Sequence, residues 1–137
     1  MTAGLENRMG VRLRWRDVDM LGHLNRSVDH ELLEEGRGGL MSEIARMAGN
    51  SHAHGVFVLV HGDLDYHAEV RKDHEHVEVV VRPAHVGNTS LRMEHEVRLP
   101  DATVAASGTT IVVAWDPASR GKREITQAER AALVAAA

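Results

Sequence analysis

The sequence predicts an α+β fold: a five-stranded antiparallel sheet curled around one long central helix, with a short helix at the C-terminus. Three observations carry this. One stretch of helical spacing, Ser27 to Ala48, follows a single alternating segment and precedes four more. The later segments are joined by turns too short for helical crossovers, so they are expected to pair as an antiparallel meander. Thr126-x-x-Glu129 has the form of a capping box and announces a second, short helix from Gln127. One long helix can bury a single face of such a sheet.

In chain order, Val11, Leu13 and Trp15 alternate with Arg12, Arg14 and Arg16, the period of a strand with one buried face. A polar loop follows, and Ser27 is the expected N-cap, with Asp29 and Glu31 placed to suit the helix dipole. Leu32, Leu33, Gly36, Leu40, Met41, Ile44, Met47 and Ala48 then recur at helical spacing, and Gly49-Asn50 supplies the stop. Gly36, Gly38 and Gly39 each cost about 1 kcal/mol inside a helix. Close approach of a tightly wrapped sheet would offset that cost. Val56 to His67 reads as a long strand bent at Gly62, and Val70 to Asp73 as a polar turn. Val77 to Arg82 is the next strand, with a break or bulge over Pro83 to Gly87. Leu91 to Leu99 alternates strictly, and Thr103 to Trp115 is the last strand before Asp116-Pro117.

The 137 residues suit one domain, 1–137, with a core of Val, Leu, Ile, Met and Ala, since only 3% are aromatic. A formal charge of −4 argues against a general nucleic-acid binder, which needs excess Lys and Arg to neutralise phosphates. Zero cysteines remove disulfides, zinc–thiolate sites and a Cys nucleophile, and fit a cytoplasmic location. The start MTAGLENRMG has no apolar h-region, and no later run approaches spanning length, so no membrane partner is expected.

Asp17, Asp19, His23 and Asn25 all fall between the first strand and the long helix. A loop held by regular structure at both ends, beside a helix N-terminus with unpaired N–H groups, is well placed for chemistry. Each residue also has a plain structural reading. An aspartate here makes an Asx turn, a histidine bonds a backbone carbonyl, and an asparagine caps the helix.

Arg14-Trp15-x-Asp17-x-Asp19-x-x-Gly22-His23-x-Asn25, with Glu34-Glu35-x-Arg37 behind it, resembles the hotdog-fold acyl-CoA thioesterases. The 4-hydroxybenzoyl-CoA thioesterase-like group, which includes acyl-ACP thioesterases, is the nearest in pattern. Asp65-Tyr66, Glu69-Val70, Asp73 and Gly87-x-x-Ser90 continue the resemblance in order, from about Val11 to Asp116. The sequence departs from the pattern at Arg26, where a second Asn is usual, at Asp29, where an aromatic is usual, and at Gly36, where an Ala is usual.

The resemblance implies hydrolysis of an acyl-CoA or acyl-carrier-protein thioester, with Asp19 as nucleophile or general base and the helix N-terminus polarising the carbonyl. His23 would assist Asp19 or the substrate, and Asn25, Tyr66 and Ser90 would contact substrate. Ser90 also reads as a strand-start hydroxyl, and Asp17 as a structural tie to Arg14 or Arg16. The resemblance further implies a homodimer or homotetramer built by sheet edges, and no cofactor beyond the CoA of the substrate.

Two alternatives keep the fold: a non-catalytic acyl-CoA-binding module, and a dehydratase acting on acyl thioesters, whose Asn-Pro motif is missing. Glu35 is expected to pair with Arg37 on the surface. His52-x-His54 and His74-x-His76 put imidazoles together without an identifiable third ligand, so no metal is expected. Arg71-Lys72, Arg82 and Arg120-Lys122-Arg123 are candidate contacts for CoA phosphates.

Overall fold

β1 (Asn7–Arg12) opens the sheet in the computed structural model, which describes residues 6–49 and 56–135. Asn7, Met9 and Val11 turn inward and Arg8, Gly10 and Arg12 outward. The strand ends earlier than its alternation predicts. Leu13 is buried, but Trp15 is 88% exposed, because Trp15–Asp17 forms one turn of 3-10 helix. Asp17 makes that turn. Its Oδ2 accepts the Arg14 N–H at 2.8 Å, and its own N–H donates to the Arg14 carbonyl at 3.0 Å. Such local side-chain bonding competes with continuation of a strand.

The long helix α1 (Arg26–Ala48) buries Val28, Asp29, Leu32, Leu33, Gly36, Leu40 and Ile44. Its N-cap is Asn25 rather than Ser27: the Asn25 side chain accepts the Ser27 N–H at 3.1 Å. Gly49 ends the helix at φ 66°, as expected of a left-handed cap, while Asn50 lies outside the described residues. The sheet does press on α1. A Cβ on Gly36 would stand 2.8 Å and 2.9 Å from methyls of Val79 and Val81, whereas Gly38 has open space around it.

The strands run in the spatial order β1-β4-β5-β6-β2, all antiparallel, with β4 (His76–Val86), β5 (Ser90–Arg98), β6 (Val104–Asp116) and β2 (Phe57–Gly62). β4, β5 and β6 form the expected meander, with an irregular register between Pro83 and His85. β2 departs from it and lies at the far edge beside β6. Burial accounts for the exchange. β4 carries buried Val77, Val79, Val80 and Val81 on both faces, as an inner strand must, whereas Leu59 to Gly62 are exposed. The strand expected over Val56 to His67 is two pieces, β2 and the two-residue β3 (Asp65–Tyr66), both on β6.

Between them Asp63 reaches into the sheet. Its carbonyl accepts from His95 Nε2 at 2.9 Å, and its side chain accepts the Thr109 N–H at 3.0 Å. Only glycine fits opposite, since a Cβ on Gly108 would overlap the Asp63 carbonyl. His95 is a buried strand residue. Its Nε2–H faces a carbonyl, so Nδ1 is the acceptor for the Thr110 hydroxyl at 3.0 Å, and burial lowers its pKa.

A second short strand, β7 (Gly121–Lys122), pairs with the end of β6 and leads to α2 (Gln127–Ala135), which packs on α1. The capping box is present as read: the Thr126 N–H donates to Glu129 Oε1 at 2.9 Å, and the Glu129 N–H to Thr126 Oγ1 at 3.1 Å. Leu33, Leu40, Ile44, Val79, Val81, Leu91, Met93, Val97, Ala114 and Leu133 lie in one core. Among the described residues no helix is long and apolar enough to cross a membrane.

Candidate active site

The polar loop is a small closed hairpin. Val18 and Leu24 face each other, the Asp19 N–H donates to the His23 carbonyl at 2.8 Å, and the Gly22 N–H donates to the Asp19 carbonyl at 3.1 Å. Gly22 has φ 80°, the left-handed conformation that glycine adopts without cost. Two further bonds seat the loop: Leu24 N–H to the Val70 carbonyl at 2.7 Å, and Asn25 N–H to the Asp17 carbonyl at 2.8 Å.

Asp17 is the structural aspartate. It is buried, and Arg14 holds it with Nε at 3.2 Å and Nη2 at 2.9 Å from Oδ1. Burial alone would raise its pKa, but the Arg14 hydrogen bonds outweigh that and hold the carboxyl below its usual range. Asp19 is exposed. Its Oδ1 accepts the N–H groups of Leu21 at 2.9 Å and His23 at 3.2 Å, an Asx turn, while Oδ2 takes no hydrogen bond among the described residues. Asp19 lines an open cavity of about 610 Å³ with Trp15, Arg16, Val18, Met20, Gly22 and Lys72.

His23 pairs with Glu69, Nε2 to Oε2 at 2.7 Å. Glu69 in turn accepts from Arg71 at 3.1 Å, and Arg71 donates to Asp73 at 2.9 Å. Arg71 above all, with His23, holds the Glu69 carboxyl below its ordinary range. The pairing gives His23 a fixed ring orientation, which a loop histidine would otherwise lack. Sequence reading placed Glu69 only as one letter of a motif.

At the helix N-terminus, Asn25 Oδ1 takes the Ser27 N–H, and the Asn25 carbonyl takes those of Val28 at 2.9 Å and Asp29 at 3.3 Å. The Arg26 N–H has no acceptor among the described residues, so it is the donor this turn keeps available. Arg26 carries its guanidinium 3.7 Å above the Tyr66 ring and 3.6 Å from Asp29 Oδ2.

Asp29, read from the sequence as a first-turn acid that suits the helix dipole, is 2% exposed. Its Oδ2 has no hydrogen-bond partner among the described residues, the 3.6 Å ion-pair contact with Arg26 being too long for one. Burial pushes its pKa up to about 6, against the opposing charge of Arg26. A spacing signal was available: Asp29, Leu33, Gly36, Leu40 and Ile44 form one stripe on α1, and only the chemical type of Asp29 disguised its first member.

The structure thus brings Asp19, His23, Asn25 and Tyr66 to one end of the sheet, joined through Glu69 and Arg26. Ser90 is not among them. It begins β5 beside Gly87, and the length of β4 separates it from the loop. Glu34 rather than Glu35 is the acid acting on half-buried Arg37, and both line a second cavity of about 430 Å³ with Met41, Phe57 and Leu59. Of the candidate phosphate contacts, Arg71, Arg82 and Arg123 are engaged with carboxylates. Among the described residues no group of three His, Asp or Glu side chains could hold a metal ion. His52 and His54 lie outside them.

Three solved structures share the fold over nearly the whole chain. A predicted thioesterase from Bacillus stearothermophilus is 20% identical, covers 96% of each chain and superimposes with a TM-score of 0.85. A Thermus thermophilus thioesterase solved with coenzyme A and Zn is 29% identical over 92% of this chain and 95% of that one, at 0.77. A 1,4-dihydroxy-2-naphthoyl-CoA thioesterase from Synechocystis is 14% identical over 94% and 96%, at 0.74. No curated protein matches. The family model of the thioesterase-like superfamily matches residues 13–133, from the buried Leu13 ahead of the loop to Leu133 in α2. That span takes in the loop, the helix and the sheet that wraps it, and the chain belongs to the thioesterase-like superfamily as a thioester hydrolase.

Proposed function

We propose that this protein hydrolyses acyl-CoA thioesters with Asp19 as the reacting carboxylate. Two observations support the reading: Asp19 Oδ2 is open on the wall of a large cavity, and the Arg26 N–H at the start of α1 has no acceptor among the described residues. Hydrolysis needs both parts. The N–H polarises the thioester carbonyl and stabilises the oxyanion that forms on it. Asp19 either takes a proton from the attacking water or attacks the carbonyl carbon itself, forming a mixed anhydride that water then cleaves. The CoA thiolate leaves without a strong acid, because a thiol pKa near 8.5 already makes it a good leaving group.

In this reading the Asx turn aims Asp19 through Oδ1 and leaves Oδ2 for chemistry. His23, oriented by Glu69, stands next to the reacting carboxylate, and Asn25 and Tyr66 border the acyl group. The likeness to a thioesterase solved with coenzyme A favours CoA as the carrier over an acyl carrier protein. The exposed edge strand β2, with Leu59 and Val60 more than half exposed, supports self-association through that edge as a homodimer or homotetramer. Ser90 would reach substrate only if a partner subunit carries it across. No cofactor is required beyond the CoA of the substrate.

A second reading, in which Asp19 only shapes its loop through an Asx turn, is favoured by the engagement of Oδ1 there. Kinetics with Asp19→Asn separate the two. The expected loss in kcat is about 10²- to 10⁴-fold, with unchanged circular dichroism. Rates within threefold of wild type would remove Asp19 from the reaction.

A further inference from the structure

We propose that Asp29 is a specificity residue whose buried Oδ2 accepts a hydrogen bond from a hydroxyl at the 2- or 3-position of the acyl group. The substrate class is then short hydroxyacyl thioesters. This rests on the thioesterase reading above and adds the acyl group to it.

Asp29 heads an otherwise apolar stripe of α1, is 2% exposed, and carries an acceptor without a hydrogen-bond donor among the described residues. An acceptor buried in this way costs the fold its full desolvation unless something donates to it. Among the described residues nothing does so within hydrogen-bond length. Arg26 Nη1 stands 3.6 Å from Oδ2, an ion-pair contact beyond hydrogen-bond length, and its planar face lies on Tyr66. The group paired with Oδ2 is thus a flexible side chain that is itself half-exposed.

Charge selects the kind of donor. A saturated acyl group would leave Oδ2 unmet, and an acyl carboxylate would be repelled by it. An acyl ammonium would meet the Arg26 guanidinium at close range. A neutral hydroxyl satisfies Oδ2 without either conflict. Distance selects its position. Asp29 is the fourth residue of α1, so its Cα stands about 4–5 Å along the axis from that of Arg26, and its side chain leans back towards the N-terminus. With the thioester carbonyl on the Arg26 N–H, a hydroxyl bonded to Oδ2 is two or three bonds from the carbonyl carbon. A hydroxyl at the far end of a long chain or across an aromatic ring overshoots it.

The test compares butyryl-CoA with each enantiomer of 3-hydroxybutyryl-CoA, using the full chain, wild type and two variants. Wild type should favour one hydroxybutyryl enantiomer at least tenfold in kcat/KM. In Asp29→Leu the hydroxybutyryl-to-butyryl ratio should fall to about one. In Asp29→Asn, which keeps the shape and a weaker acceptor, it should fall to a few-fold; this variant decides the matter if the Leu protein does not fold. A wild-type ratio within twofold, or a tenfold ratio that survives in the variants, overturns the inference. Asp19-dependent hydrolysis without a preference defeats the specificity claim alone. Hydrolysis of neither thioester defeats it together with the proposed function.

Discussion

The two helices of this protein begin with the same ingredients and use them differently. Each has a polar cap, a buried carboxylate within four residues of it, and an arginine close by. At α2 the set is closed. Arg123 donates to both oxygens of Glu129, at 2.8 Å and 3.0 Å, and Thr126 completes the box. At α1 it is left open. Arg26 stands 3.6 Å from Asp29 and rests on Tyr66, and one carboxylate oxygen goes unmet. The electrostatics follow the geometry. Burial would raise both pKa values; Arg123 reverses this for Glu129, while Arg26 does not for Asp29, which reaches about 6. A closed set stabilises a fold. An open one stores an interaction for a ligand.

Breaking the closed set should have the larger effect. Glu129→Ala removes the cap and takes the bidentate acceptor from the half-buried Arg123, with an expected loss of about 3–5 kcal/mol by urea unfolding. Glu129 has a lowered folded pKa, so its contribution is full above the unfolded carboxyl range and is lost as pH falls through the folded value.

The open set should respond with the opposite sign. Asp29→Leu should stabilise the protein, by up to about 3 kcal/mol at pH 7, since a carboxyl raised by about two units costs roughly that much once ionised. The folded pKa is raised, so the folded state holds the proton longer. Stability therefore falls as pH rises from about 4 to about 6, and this slope should be missing from the Leu variant. A variant no more stable than wild type would mean that Asp29 finds a partner in solution. Asn25→Ala is the mildest change. Losing a cap costs about 1 kcal/mol, and the Ser27 N–H released beside the Arg26 N–H should alter KM for acyl-CoA more than it alters the unfolding midpoint.

How much of this was legible in the sequence differs between the two helices for the same reason. The α2 motif is local: Thr126 and Glu129 satisfy each other, so four letters suffice. The strict alternation of Leu91 to Leu99 and the tight seat of Gly36 are equally readable, because period and size report directly on burial. At α1 the decisive facts are long-range. The stacking of Arg26 on Tyr66 and the pairing of His23 with Glu69 depend on where residues 65–71 pass the loop and the helix start, which no period encodes. Placement of β2 at the far edge beside β6 is a pairing choice of the same kind. Trp15 misled for a different reason: alternation promised a buried face, but Asp17 drew the Arg14 N–H and ended the strand. Asp29 stands out in the sequence as an acid where an aromatic is usual, but no period shows that its carboxylate is buried.

The claim that α1 opens on an unmet carboxylate while α2 opens on a satisfied one can be measured in a single experiment. Side-chain carboxyl resonances of Asp29 and Glu129, followed by carbon-detected NMR across a pH titration, report both groups in one sample. Asp29 is expected to titrate near 6 and Glu129 below the usual glutamate range. An Asp29 midpoint near 4, in the range of an ordinary aspartate, would contradict it.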